Sequence, residues 1–308
     1  MDEAKNAMNG NVEMRKADLS EVGKRIEDVA RERPSHKEVL GFLKEVVEEQ
    51  YSMKPEIETP PVLVDKALIQ KKAAEGFPLV NKGDLKLDMV SAAILFKGLC
   101  KVLKRNKKVS EDVDKLEQLI SSKDVDLEEL FQKTAAGNGE YIASQSDKLG
   151  LKADILSFLA ENSLRPIFEA YAHELQGHVD QEHWWRAYCP ICGSEPVMAE
   201  LVDKEKKRFL ICSCCGYAWR FKRTQCPFCE NEERKKFKFF FGDKEQKAWR
   251  VETCQKCKKY IKTVDTGELD GQFIPLVEDV GTLYLDVIAK KEGYTREVHP
   301  LGLNLADL

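Results

Sequence analysis

The chain has 308 residues, 43% of them apolar and 33% charged, with a net charge of −4. That length allows two domains with sizeable cores, and the near-balance of charge singles out no class of partner. The opening Met1-Asp2-Glu3-Ala4-Lys5-Asn6 is charged where a secretion signal needs an apolar run, and no apolar stretch nears the roughly 20 residues that span a bilayer. The expectation is a cytoplasmic protein without membrane association, in a compartment that keeps thiols reduced.

Residues 1 to about 30 show no clear period and read as a poorly ordered lead-in or a marginal helix. Ser35-His36-Lys37-Glu38 has the form of a capping box, and Val39, Leu40, Leu43, Val46 and Val47 follow at helical spacing. Pro55, Pro60 and Pro61 mark a linker. Apolar periodicity predicts further helices over Val62 to Glu75, Leu85 to Leu103, Ser110 to Ile120, Leu127 to Lys133 and Lys152 to Asn162. A last one is predicted to start near Pro166, since proline is tolerated in a first turn, with Ile167, Phe168, Tyr171, Ala172 and Leu175 on one side. Residues 1–183 are therefore expected to form an all-helical domain.

From Trp184 the texture changes to short β-type runs between turn residues. Val197 to Leu201 and Arg208 to Ile211 flank the charged tip Asp203-Lys204-Glu205-Lys206. Lys236 to Phe241 and Ala248 to Thr253 repeat the plan around Gly242-Asp243-Lys244. Each hairpin starts just after one Cys-x-x-Cys and ends just before another, so the region reads as a duplication, 184–225 and 226–272. A hairpin brings its ends together. Cys189 and Cys192 are thus expected to meet Cys212 and Cys215, and Cys226 and Cys229 to meet Cys254 and Cys257. The rival is a cross-brace joining the first pair to the third. Residues 273–308 are read as one C-terminal helix and a tail, opened by Pro275, with Glu278 and Asp279 in its first turn and Gly293 as its stop. The fold class expected is multi-domain α+β.

Nine of the ten cysteines fall between Cys189 and Cys257. In a reducing compartment, Cys-x-x-Cys pairs at this spacing point to metal. Two knuckles give a closed, tetrahedral four-sulfur site suited to zinc or to a single rubredoxin-type iron, and closure disfavours water activation. Two metal ions, iron or zinc, are the expected cofactors. Gly193 follows Cys192 and Gly216 follows Cys215, which makes Cys214 the spare thiol. Cys100, among Leu95, Leu99, Val102 and Leu103, reads as a buried apolar residue. Between Arg186 and Lys262 there are 19 Lys and Arg against 10 Asp and Glu. Part of that excess balances the thiolates, and the remainder can form a basic face. No nucleophile–base pair, phosphate loop or carboxylate pair stands out, so no catalytic residue is assigned.

The residue order resembles the formate dehydrogenase accessory proteins of the FdhE family. The likeness runs through Leu164-Arg165-Pro166, Cys189-Pro190-Ile191-Cys192-Gly193-Ser194, Phe209-Leu210-Ile211-Cys212-Ser213 and the approach from Trp219 to Arg223. It continues through Cys226 with Cys229, Glu252-Thr253-Cys254 with Cys257, and Tyr260-Ile261-Lys262. It closes on Glu278-Asp279-Val280-Gly281-Thr282-Leu283 and Glu292-Gly293-Tyr294, with a fainter echo in Ala74-Glu75-Gly76-Phe77-Pro78-Leu79. Glu230 and Lys258 stand where the first site has glycines, and Val298 to Leu308 match poorly.

The resemblance implies a helical domain followed by two rubredoxin-like modules. It implies a cytoplasmic maturation factor, not an enzyme, that binds the catalytic subunit of a molybdenum- or tungsten-dependent formate dehydrogenase. Trp219, Arg220 and Arg223, between the modules, are the partner-contact candidates; for Trp219 the competing reading is packing over a metal site. One alternative is a zinc ribbon that binds nucleic acid, with Trp219, Phe221 and Trp249 as stacking rings. The other is a redox protein whose iron changes charge state.

Overall fold

The computed structural model describes residues 14, 17–62, 65–242, 247–296, 299 and 301, except for the side chain of residue 66. Its N-terminal part comprises α1 (Leu19–Glu32), α2 (Lys37–Met53), α3 (Lys66–Glu75), α4 (Met89–Lys104), α5 (Ser110–Ser121), α6 (Leu127–Ala135), α7 (Gly139–Leu149) and α8 (Ala153–Leu175). The N-terminal region is helical as expected, with three corrections that each have a physical cause.

The presumed lead-in contains α1. Asp18 accepts a hydrogen bond from the Glu21 N–H at 2.8 Å while Glu21 accepts one from the Asp18 N–H, a reciprocal cap. Val22, Ile26 and Val29 bury the inner face of this helix. At the next helix start the expected box does not form. Pro34–His36 is a single 3-10 turn, no side chain caps α2, and Ser35 Oγ lies 3.1 Å from His36 Nδ1.

The third correction concerns α8. Pro166 begins no helix but sits inside this one of 23 residues. A proline there has no N–H for the carbonyl four residues earlier. Gln50 of α2 supplies the missing donor, its Nε2 reaching the Asn162 carbonyl at 3.0 Å. The uninterrupted α8 packs against α2, α4, α6 and α7 as the axis of the domain. Cys100 is buried in α4, and burial pushes its thiol up to about 12.

The β region holds β1 (Pro196–Val202), β2 (Lys207–Cys212), β3 (Ala218–Phe221), β4 (Phe237–Phe240), β5 (Trp249–Cys254) and β6 (Tyr260–Asp265). Both predicted hairpins are present, β1 with β2 and β4 with β5, each antiparallel. Each gains a third antiparallel strand, β3 on β2 and β6 on β5. The two triplets are not separate beads. β1 pairs with β6 in parallel, Ala199 opposite Thr263, so one six-stranded sheet runs β3-β2-β1-β6-β5-β4. The turn at Gly242-Asp243-Lys244 falls largely outside the described residues, as does most of the Val298–Leu308 tail.

The single C-terminal helix becomes two, α9 (Pro275–Gly281) and α10 (Leu283–Lys291). They part at Thr282, whose φ of −120° leaves the helical region and whose Oγ1 donates to the Glu278 carbonyl at 2.6 Å. Lys262 of β6 donates to the freed Asp279 carbonyl at 2.7 Å. Around this break lies a buried charge cluster. Lys262 and Arg296 face Asp279 and Asp286, and Tyr260 Oη donates to Asp286 at 2.7 Å. Arg25 of α1 pairs with Glu278 at 2.5 Å, and Trp249 Nε1 donates to the same carboxylate at 2.7 Å. The cluster is charge-balanced and pins α1, α9, α10 and the sheet to one another.

Candidate metal centres

Four knuckles place the sulfurs, and one backbone pattern builds three of them. In the first, the Cys189 N–H donates to the Ser194 carbonyl at 2.9 Å and the Gly193 N–H to the Cys189 carbonyl at 2.9 Å. Cys226 with Asn231 and Glu230, and Cys254 with Lys259 and Lys258, repeat both bonds. In the remaining knuckle the Cys212 N–H donates to the Tyr217 carbonyl at 2.9 Å. The residue after each second cysteine turns with positive φ: Gly193 at 74°, Gly216 at 69°, Glu230 at 53° and Lys258 at 61°. The second centre therefore makes the same turn as the first without glycine, in a conformation that costs an L-residue about 1 kcal/mol.

Cys189 and Cys192 precede β1, Cys212 ends β2 and Cys215 lies in the following turn. Cys226, Cys229, Cys254 and Cys257 occupy the same places around β4 and β5. Each set of four sulfurs lies within 4.8 Å of one another. Separations of 3.4 Å for Cys192–Cys212, 3.6 Å for Cys192–Cys215 and 3.7 Å for Cys189–Cys215 mark the first set. Cys226–Cys257 and Cys229–Cys254, at 3.7 and 3.8 Å, mark the second. A tetrahedron with metal–sulfur bonds near 2.3 Å has edges of about 3.8 Å, whereas a disulfide needs about 2.05 Å. The spacing fits a cation between thiolates, and all ten cysteines are free thiols. The pairing follows the hairpins and not the cross-brace.

Electrostatics give the same fit. Among the thiols alone, neighbours led by Cys189 hydrogen-bond to the Cys192 sulfur and hold it well below the thiol range. Burial drives Cys189 well above that range, and Cys215 is raised by its bonds to Cys189 and its neighbours. In the second set burial raises Cys226 and takes Cys257 up to about 11; at Cys229 the Asn231 N–H and adjacent thiols outweigh burial and lower it. In each set the protein alone favours the thiolate at one cysteine and disfavours it at others. Four thiolates require a dication between them. The two clusters can thus hold two metal ions, and with four protein ligands each would be closed. Cys214 stands beside the first group, its N–H 3.4 Å from the Cys212 sulfur, and is not one of the four.

The centres differ in their surroundings. All four sulfur residues of the first are buried, while Cys229 and Cys257 of the second are half-buried. The helical domain seals the first knuckle. Leu79 and Val80 N–H donate to the Pro190 and Ile191 carbonyls at 2.8 and 3.0 Å, and Lys82 Nζ donates to Ser194 Oγ at 2.8 Å. Arg165, at the start of the Arg165-Pro166 step in α8, donates to the Ser213 carbonyl at 2.8 Å. The Ala74–Leu79 segment thus acquires a role as the clasp on this knuckle, with Tyr188 Oη donating to the Gly76 carbonyl.

The contact candidates separate. Trp219 is 1% exposed and its Nε1 donates to the Arg186 carbonyl at 3.1 Å, so packing, not recognition, describes it. Arg220 is exposed over the Trp185 ring and Arg223 is exposed near the second cluster. The stacking rings that a nucleic-acid ribbon would use are also interior: Phe221 is 2% and Trp249 8% exposed. Strand membership buries them, and a β-type run does not disclose in sequence which of its faces is covered. Among the described residues, no helix is long and apolar enough to cross a membrane.

Comparison with known proteins places this arrangement. Residues 188–223 match the family model described as FdhE, central domain, and residues 224–303 the model described as FdhE, C-terminal domain. The Protein FdhE homolog of Aquifex aeolicus is 27% identical over 268 residues, 85% of this chain and 87% of the relative. The homolog of Haemophilus influenzae is 28% identical over 284 residues, 91% of this chain and 85% of that protein. Protein FdhE of Escherichia coli is 34% identical over 113 residues, 36% of each chain. The crystal structure of the FdhE protein from Pseudomonas aeruginosa has the same fold, with a TM-score of 0.64 at 21% identity over 92% of this chain and 95% of that one.

Proposed function

We propose that the chain is an FdhE-type protein, a cytoplasmic accessory factor that binds the catalytic subunit of a formate dehydrogenase and assists its assembly or activation. The observation that carries this reading is the pair of four-cysteine clusters at the hairpin bases, inside the segment matched by the two FdhE domain models. Cys189, Cys192, Cys212 and Cys215 hold one metal ion, and Cys226, Cys229, Cys254 and Cys257 hold the other. Bound there, zinc supplies rigidity alone, while iron adds a one-electron couple. The protein's own part is to fix the two hairpins and to present Arg220, Arg223 and the second knuckle to the client. It performs no formate oxidation.

The test is capture of a formate dehydrogenase catalytic subunit by the full chain. Retention by the wild type and loss in a Cys226→Ser/Cys229→Ser variant that keeps its helical circular dichroism is the expected result. Equal capture by both, or none by either, contradicts the reading. Metal analysis with an absorption spectrum on anaerobically purified protein separates iron from zinc, and protein free of both metals removes the metal role.

A further inference from the structure

Beside the second cluster lies a cavity of about 430 Å³ between β4, β5 and the loop that carries Arg223 to Phe228. Arg208, Arg223, Arg234, Lys238, Arg250 and Lys259 line it, against the single carboxylate of Glu252. Arg208 is 3% exposed. Its Nη1 donates to the Gln225 carbonyl at 3.1 Å and its Nη2 lies 3.5 Å from Glu252. Neither Nε nor Nη2 makes a hydrogen bond among the described residues. Arg250 donates twice to Glu252, so that carboxylate is already shared. The Arg223 and Arg234 side chains are exposed and form no ion pair among the described residues. One wall is apolar, made by Phe228, Phe237 and Phe239.

A buried guanidinium with two unused N–H groups in fork geometry fits an oxyanion better than it fits solvent. The charge count sets the valence. Six cations less one carboxylate leave an excess of five, and a dication held by four thiolates, formally −2, would reduce it to three. A multiply charged anion suits that excess better than a single carboxylate does. The cations converge on one concavity instead of running along a groove, and its volume is that of a small-molecule site.

We propose that this cavity binds the phosphate group of a small ligand, with the Arg208 fork beneath it, Arg223 and Arg234 beside it, and the phenylalanine rings forming a wall for the rest of the molecule. The site serves binding and needs no part of the accessory role.

The test is calorimetric titration of the full, metal-loaded chain with inorganic phosphate and with ADP, ionic strength held constant with sodium chloride. Saturable one-to-one binding is expected, weakened about ten-fold by Arg223→Glu or Arg234→Glu, as loss of one charged hydrogen bond implies. Arg208→Lys, which keeps the charge and loses the fork, should weaken it similarly with unchanged circular dichroism. Lys123→Glu, exposed in the turn after α5 of the helical region, should leave it unaltered. Tighter binding of ADP identifies a phosphorylated compound as the ligand; equal affinity identifies free phosphate. Absence of saturable binding at millimolar concentration, indifference to the Arg223 and Arg234 variants, or binding of single-stranded DNA in place of both small anions overturns the proposal.

Discussion

Replacing Lys262 by methionine probes the buried charge cluster where it is most exposed to failure. Lys262 is 1% exposed and faces Asp279 and Asp286 together, while donating to the Asp279 carbonyl at the helix break. Methionine keeps the volume and removes the charge, leaving Arg296 alone against two buried carboxylates. Removing one member of a buried pair costs about 3–5 kcal/mol, because the partner's charge stays uncompensated. For a chain of this size that is roughly 2 °C of melting temperature per kcal/mol, so a fall of about 6–10 °C. Acid sensitivity should change as well. Although burial alone would raise the Asp279 carboxyl, Arg296 and Lys262 hold it at about 2, below its ordinary 3.8. Its contribution, about 2 kcal/mol, is complete above the ordinary carboxylate range and disappears as pH falls from about 3.8 to about 2. Without Lys262 the Asp279 carboxyl is held down less, so this contribution and its loss on acidification should both shrink. The assay is thermal melting of the metal-loaded protein at several pH values, for the single variant and for Lys262→Met/Asp279→Asn. The double variant should recover much of the loss. A single variant that melts within about 2 °C of the wild type, or a double variant no better than the single, refutes the reasoning.

Lys258→Gly should stabilise the second centre by up to about 1 kcal/mol, since φ is 61° there and glycine accepts it without strain; chelator-challenged melting would register the gain. Competition with a chromophoric chelator should strip one equivalent of metal ahead of the other, and native mass spectrometry of the half-loaded Cys226→Ser/Cys229→Ser variant should show the slower one retained, because Cys229 and Cys257 are half-buried and the first four cysteines are covered. Gln50→Leu should cost about 1–3 kcal/mol by leaving the Asn162 carbonyl without its donor, and much less in a Pro166→Ala background that restores the helical N–H; urea melts of the four proteins would decide it.

What could be read from sequence was local. Each Cys-x-x-Cys, and each hairpin between two of them, is specified within about 30 residues, so hairpin closure brought the correct four thiols together. The cap on α1 was also present, in Asp18 and Glu21, but the polar composition of the first residues concealed it. Pro166 misled because the group that tolerates it, Gln50, lies more than a hundred positions earlier. The same distance effect hid the joining of the modules: Ala199 meets Thr263 with nothing in either strand to announce it. For Trp219 the sequence left contact and packing both open, and for Phe221 stacking stood only as an alternative, because a short strand shows its composition and not its cover. Cavity and charge cluster alike need three or more elements to converge, and no window of sequence contains them.

The parallel seam between β1 and β6 decides how this protein can be cut. A fragment ending at Phe221 would bare the backbone of β1, and one beginning at Cys226 would bare that of β6; each is an interior strand whose open edge the other triplet covers. Such halves should clump or seek each other out when expressed apart, and co-expressing them should restore solubility to both.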